Sequence, residues 1–267
     1  MNQTEKATRF AGLHVKGTPL LLYNAWDAGS AKSILQAGAK AIATSSWSVA
    51  EAHGYKDGEA IPIELAEEII ARIAATIDVP VTVDFEGGYS EDDSHLADNI
   101  SRLLDLGVIG VNFEDRIVKG SGLYDIDRQA RRVAVIRKAA ENKGVALFIN
   151  ARTDLFLGQS RDAAQSVGEA LERAKAYVAA GASGFFIPGL RDDALIGRIC
   201  DSASVPVNVM VMEGVPSAGR LTSLGVSRIS YGPIPYIRAM EALQQEARNV
   251  LSWTKDGPRP QANYPRS

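Results

Sequence analysis

Eight short apolar runs, each followed by a stretch of helical periodicity, organise this chain. They cover residues 19–25, 41–46, 80–86, 110–115, 146–153, 184–188, 206–211 and 228–232. The runs are nearly continuously apolar rather than alternating, as in parallel strands covered on both faces. Regular exchange of strand and helix reads as βα units feeding one parallel sheet.

A finer repeat narrows the topology. Ala37-Gly38-Ala39, Leu106-Gly107-Val108, Ala180-Gly181-Ala182 and Leu224-Gly225-Val226 precede the second, fourth, sixth and eighth strands. Each glycine suits the left-handed position that ends a helix and turns the chain into the next strand. Strands three and seven share Val79-Pro80-Val81 and Val205-Pro206-Val207, with proline where no ladder donor is yet needed. Four βαβα quarters result, so the fold class is α/β, a single (β/α)8 TIM barrel. A doubly wound open sheet would not carry this alternation through all eight strands. The barrel, with a short helix in its first dozen residues, is expected over 1–252. It ends in an amphipathic helix over about 236–251. Residues 253–267, with three prolines, are expected to form a tail or an arm on a neighbouring subunit.

Composition adds limits. A chain of 267 residues, 46% hydrophobic, can bury a large core without disulfides or a structural metal. The single cysteine, Cys200, excludes an intramolecular disulfide and reads as a buried thiol in an apolar helix. A net charge of −3 argues against broad nucleic-acid binding. No apolar run approaches the ~18 residues of a membrane span, and the polar start lacks a signal-peptide core. A cytoplasmic location is expected.

Barrel chemistry sits at the carboxyl ends of the strands, and acids gather there. Asp84 and Glu86 lie two apart on strand three, on one face. Glu114 stands at the same height on strand four. Converging carboxylates repel unless protons or a cation offset them. Oxygen ligands without histidine favour a hard ion, most simply Mg2+ with several waters retained. The bland alternative has these acids capping helices or pairing with Arg116 and Lys119. Arg152, ending strand five, offers a planar fork to a carboxylate or phosphonate, or a structural ion pair to Asp154 or Asp84. His14 and His95 read as surface residues, and His53 could enter the site from the loop after strand two. No P-loop, no GxGxxG after a strand and no Ser/His/Asp series is present.

These residues carry a resemblance. The segments YNAWDAGSA, GYKDGEAIP, VPVTVDFEGGYSE, GVNFEDR, INARTD and PVNVMV are similar, in order and spacing, to those of the isocitrate lyase / phosphoenolpyruvate mutase superfamily. The resemblance covers nearly the whole chain. It implies a Mg2+-dependent barrel acting on small α-oxo acids. The family's metal acids map onto Asp57, Asp84, Glu86 and Glu114, with glutamate at 86 where aspartate is usual. Its anion-binding arginine maps onto Arg152. The strand-two region that holds the substrate carboxylate maps onto Thr44, Ser45 and Ser46. Trp26 and Asn208 join the substrate-facing set. A homo-oligomer, dimer or tetramer, built by exchange of the last helix is also implied.

The departures shape the reaction expected. The C–C lyases carry a cysteine in the loop after strand four, and here that loop, 116–124, has neither cysteine nor histidine. They place a glutamate after strand six, and here the residue is Gly189. An isocitrate or methylisocitrate lyase of the usual kind is therefore not expected. The loop is closer to the phosphonomutase version: Lys119 is retained, but Ser121 replaces the phosphoryl-accepting asparagine. The expectation is a lyase, mutase or hydrolase that breaks a C–C or C–P bond through an enolate, with Arg152, Lys119 and Ser121 beside the departing group. The alternatives are a barrel that binds small acids without catalysis, and an unrelated phosphate-binding barrel. The latter would need a glycine-rich anion site near Gly214 and Gly232.

Overall fold

The computed structural model describes residues 1–158 and 163–252. Eight parallel strands form one sheet: β1 (Leu20–Leu22), β2 (Ile42–Ala43), β3 (Val81–Asp84), β4 (Gly110–Glu114), β5 (Phe148–Arg152), β6 (Gly184–Phe186), β7 (Val207–Met210) and β8 (Arg228–Ser230). Their order is β1-β8-β7-β6-β5-β4-β3-β2, and a parallel bridge between Ala25 and Thr44 closes the ring. Each expected strand is present and in place. Gly38, Gly107, Gly181 and Gly225 have φ of 99°, 87°, 105° and 86°, so the repeat does mark left-handed turns into the even strands. The strands stop short of their expected carboxyl ends. Glu86, for example, has φ 48°, which no strand can continue. The expected tail lies outside the described residues.

The helices are α1 (Gln3–Gly12), α2 (Ala28–Gln36), α3 (Ser46–Ala52), α4 (Ile63–Thr76), α5 (Asp93–Asp105), α6 (Ile126–Asn142), α7 (Ala163–Ala179), α8 (Asp193–Ser202), α9 (Ala218–Ser223) and α10 (Ile234–Leu251). A large apolar cluster fills the layer between strands and helices, and Cys200 is buried in it. A smaller one, with Phe10, Leu22 and Phe148, fills the lower barrel, where α1 acts as a plug. No described helix is long and apolar enough to cross a membrane.

α10 departs from this pattern. Pro235 is its only buried residue, although its sequence is amphipathic. Leu243 and Val250 are 62% and 53% exposed, and on β1 the outward Leu21 is 52% exposed. Beside β1 runs a groove of about 950 Å³, lined by Leu13, Val15, Leu21, Tyr23 and Ile34.

Above the lower cluster the interior turns polar. Asn112 accepts at Oδ1 from Asn150 Nδ2 (2.9 Å) and Arg228 Nη2 (3.0 Å). Arg228 is 1% exposed and forms no ion pair among the described residues. Its burial lowers the guanidinium to about 9, opposed by the charge of Asp84.

His14 is not a surface residue. It is 8% exposed, stacks on Phe148 at 4.1 Å and donates from Nδ1 to the Phe10 carbonyl at 2.8 Å. The spacing of four from Phe10 turns it into the plug. Burial, and then Arg228, lower its pKa from 6.5 to about 3. The unfolded chain thus binds the extra proton between those values. Stability falls as pH drops through that window, by up to about 1.4 kcal/mol per unit. His14→Phe should flatten this acid limb. Urea midpoints from pH 7 to 4 that run parallel to wild type would contradict it.

Candidate active site

The mouth of the barrel is built around Asp84, the last residue of β3. Its Oδ2 accepts from Ser46 Oγ at 2.9 Å and from Ser46 N at 3.3 Å. Its Oδ1 accepts from Asn112 Nδ2 at 3.3 Å. Because Asn112 Oδ1 already takes two donors, its amide NH2 must face Asp84. Thr44 Oγ1 accepts from the backbone N of Asp84 at 3.0 Å. The Asp84 side chain is 13% exposed, so both oxygens are fixed while solvent still reaches them. Ser46 Oγ also lies 3.4 Å from Asp57 Oδ1. The protein around Asp57, and then the charge of Asp84, raise its pKa.

Glu86 and Glu114 complete the acidic group differently. Glu86 is buried, and its Oε2 accepts from Glu59 N at 3.0 Å. Burial pushes it up to about 9, with the charges of Asp57, Glu114, Asp84 and Glu59 adding. Glu114 pairs with Arg152 Nη1 at 3.0 Å. Burial raises its pKa even so, Arg152 opposing. Arg152 is held by Asp154 through Nε (2.6 Å) and Nη2 (3.0 Å), and its Nη1 reaches Asp84 at 4.0 Å. Burial alone would lower this guanidinium, but Glu114, Asp154 and Asp84 raise it. The ion pair to Asp154 is thus present, and it does not remove Arg152 from the site.

The geometry bears on a metal ion. Among the described residues, no group of three or more His, Cys, Asp or Glu stands close enough to cage one. Asp84 and Asp57, joined by Ser46, instead suit a hard ion held by one or two carboxylates with most of its waters kept.

Other expected residues are placed as follows. Thr44, Ser45 and Ser46 line the mouth, but their groups are largely spent. Ser45 N donates to the Ala25 carbonyl, its hydroxyl caps α3, and Ser46 serves Asp84. Trp26 packs edge-on to Tyr236 at 5.2 Å. Asn208 is buried, with Oδ1 accepting from Ser230 at 3.3 Å and Nδ2 unpartnered. Lys119 and Ser121 are exposed on the loop after β4. Lys119 lines a cavity of about 100 Å³ with Glu59, Arg116 and Arg132, to one side of the acids. His53 is exposed, with Nδ1 bonded to the Val49 carbonyl at 2.9 Å.

Glu59 is a residue that sequence reading passed over. Its N–H holds Glu86, and its Oε1 accepts from Tyr89 N at 2.8 Å. Glu59, Glu86 and Tyr89, with φ of 55°, 48° and 59°, are the positive-φ residues other than glycine among the described residues. Strain of this kind collects where function fixes the backbone. Gly87 permits the closeness: a Cβ there would lie 2.8 Å from Val118 and 3.1 Å from Glu59 Oε1. Arg132, sandwiched between Phe113 and Tyr124 at 4.8 and 4.6 Å, donates to the carbonyls of Gly87 and Ser90. Asn112 and Asn150 were not singled out either, though a signal was there: each stands two residues before an inward-facing site residue.

Gly189, after β6, has φ 90°. A Cβ there would lie 2.7 Å from the carbonyl carbon of Phe156 and even closer to its oxygen. The chain after β5 occupies the space that a side chain at 189 would need.

The chain is similar to known proteins over most of its length. The profile described as phosphoenolpyruvate phosphomutase matches residues 10–251. A provisionally assigned phosphonomutase from Burkholderia cenocepacia J2315 superposes with TM-score 0.90 at 44% identity, covering 93% of this chain and all of that one. The 2-methylisocitrate lyase of Escherichia coli K12 is 28% identical over 252 residues, 91% of this chain and 83% of its own. A phosphonopyruvate hydrolase solved with oxalate and Mg2+ shares the fold, with TM-score 0.82 at 19% identity over 94% of this chain and 87% of that one.

Proposed function

The chain belongs to the phosphoenolpyruvate phosphomutase family, in the superfamily that includes the isocitrate lyases, and from that membership we propose a Mg2+-dependent enzyme that breaks a C–C or C–P bond in a small α-oxo acid or phosphonate. Members of the superfamily are lyases, mutases and hydrolases of small oxo acids. The observation that carries the reading is Asp84, a carboxylate oriented at both oxygens and facing Arg152 across the mouth. Asp84 and Asp57 would hold the ion directly, and Glu86 and Glu114 would face its waters. When bound, Mg2+ supplies a Lewis acid that draws charge onto the carboxylate and keto oxygens of the substrate. Arg152 binds the anionic end of the acid, the departing group included, and Asp154 keeps its guanidinium side-on. Gly120 and Gly122 let the loop after β4 fold over the mouth and exclude water. That movement brings Lys119 to the departing anion and lets Ser121 orient a water molecule. A cytoplasmic location belongs to the same reading.

A second reading, binding without turnover, is favoured by the position of Lys119 and Ser121 away from the acids. Oxaloacetate, phosphonopyruvate and 2-methylisocitrate, each assayed with Mg2+, separate the two. Turnover supports the enzyme, and a thermal shift without turnover supports the binding barrel. Neither response to any of the three would remove both.

The open groove beside β1 and the unburied α10 support a homo-oligomer in which α10 of one copy covers β1 of another. Light scattering should give a dimer or a tetramer. Charge in the groove, as in Leu21→Glu, should shift it toward monomer. A wild-type monomer at micromolar concentration would exclude the arrangement.

A further inference from the structure

We propose that Asp115 is the positioning residue that aims Arg152, acting through Asp154; this rests on the reading of Arg152 as the anion-binding group. Asp115 follows Glu114 and, by strand alternation, turns outward as Glu114 turns inward. It is fully buried, at 0% exposure. Its Oδ2 accepts from Tyr177 Oη at 2.9 Å and from Arg173 Nη1 at 3.1 Å. Its Oδ1 accepts from the backbone N of Asp154 at 3.0 Å. Arg173 and Tyr177 are four apart on α7 and so share one face.

The consequence falls on the guanidinium. A guanidinium close to several carboxylates closes bidentately on one of them, and without Asp154 that one would be Glu114 or Asp84. Asp154 prevents this by taking Nε and Nη2, so that only Nη1 faces the acids. Where Asp154 sits thus decides which edge of Arg152 an incoming anion meets, and Asp115 fixes the backbone of Asp154. The same carboxylate group anchors the loop that carries Lys119 and Ser121. Arg173 Nη1 donates to the Tyr124 carbonyl at 2.9 Å, and Tyr124 N donates to the Asp115 carbonyl at 2.8 Å. One buried node therefore sets both the arginine and the return of the loop, without reaching the mouth.

Calorimetric titration of Asp115→Asn and Tyr177→Phe, with Mg2+ alone and then with oxalate at saturating Mg2+, tests this. The Mg2+ Kd should stay within about twofold of wild type. The oxalate Kd should weaken about tenfold in Asp115→Asn, the worth of one hydrogen bond to a charged group, and about threefold in Tyr177→Phe. Ile199→Val, in the core of α8, controls for lost stability and should leave oxalate binding unchanged. Tyr177→Phe keeps the Asp115–Arg173 pair, so it decides the matter even if Asp115→Asn fails to fold. Oxalate affinity within twofold of wild type in the folded variants overturns the proposal. If wild type binds no oxalate, the anion-binding reading fails separately, and crystal structures of the variants decide. Arg152 closed on Glu114 or Asp84 supports the role of Asp115, and an unmoved Arg152 ends it.

Discussion

Asp84→Ala should weaken Mg2+ binding by at least about a hundredfold and remove turnover with it. Loss of a residue that merely orients a metal ligand costs about 10- to 100-fold, so loss of the central carboxylate costs more. Asp84 is central because three donors fix its two oxygens before any ion arrives. Glu86→Ala should cost less, because the Glu86 carboxyl is already turned to Glu59 N. Asp84→Asn keeps the shape and separates charge from packing. Should Asp84→Ala retain both Mg2+ affinity and turnover, the metal site would have to be sought elsewhere.

The second large effect is on stability. Gly189→Ala should lower the melting temperature by on the order of 10 °C. A side chain at φ 90° costs about 1–2 kcal/mol. Overlap with the Phe156 carbonyl adds about 1–3 kcal/mol, and backbone cannot rotate aside as a side chain does. Each kcal/mol is worth about 2–4 °C in a domain of this size. Gly189→Glu should destabilise at least as much, so restoring the glutamate of the C–C lyases would not by itself restore their site. A melting temperature within 2 °C of wild type, the effect of about 0.5–1 kcal/mol, would show that the chain after β5 yields easily.

How far the sequence reached depends on the kind of feature. Strand order and the turns before even strands were legible because glycine at a left-handed position leaves a local signature, as at Gly38 and Gly181. Asp84, Glu114 and Arg152 were legible because alternation places them on the inner face. His14 was missed because its burial depends on α1 plugging the barrel, a contact with Phe148 more than a hundred residues away. Glu59 was missed for a similar reason. Its role comes from its own N–H to the Glu86 carboxylate and from its carboxylate to the Tyr89 N–H, both on another loop, and side-chain chemistry does not announce such bonds. The spacing of Arg173 and Tyr177 shows a shared face but not that Asp115 lies opposite.

The unburied α10 also bears on what stability means for this chain. On the proposed assembly, part of the barrel wall is a reagent at finite concentration. Folding free energy then includes a mass-action component that shrinks with dilution. A melting temperature is complete only when quoted with protein concentration. Dilution acts on such a chain as a mild denaturant, reaching β1 and the mouth-side aromatics Trp26 and Tyr236 before it reaches the acids.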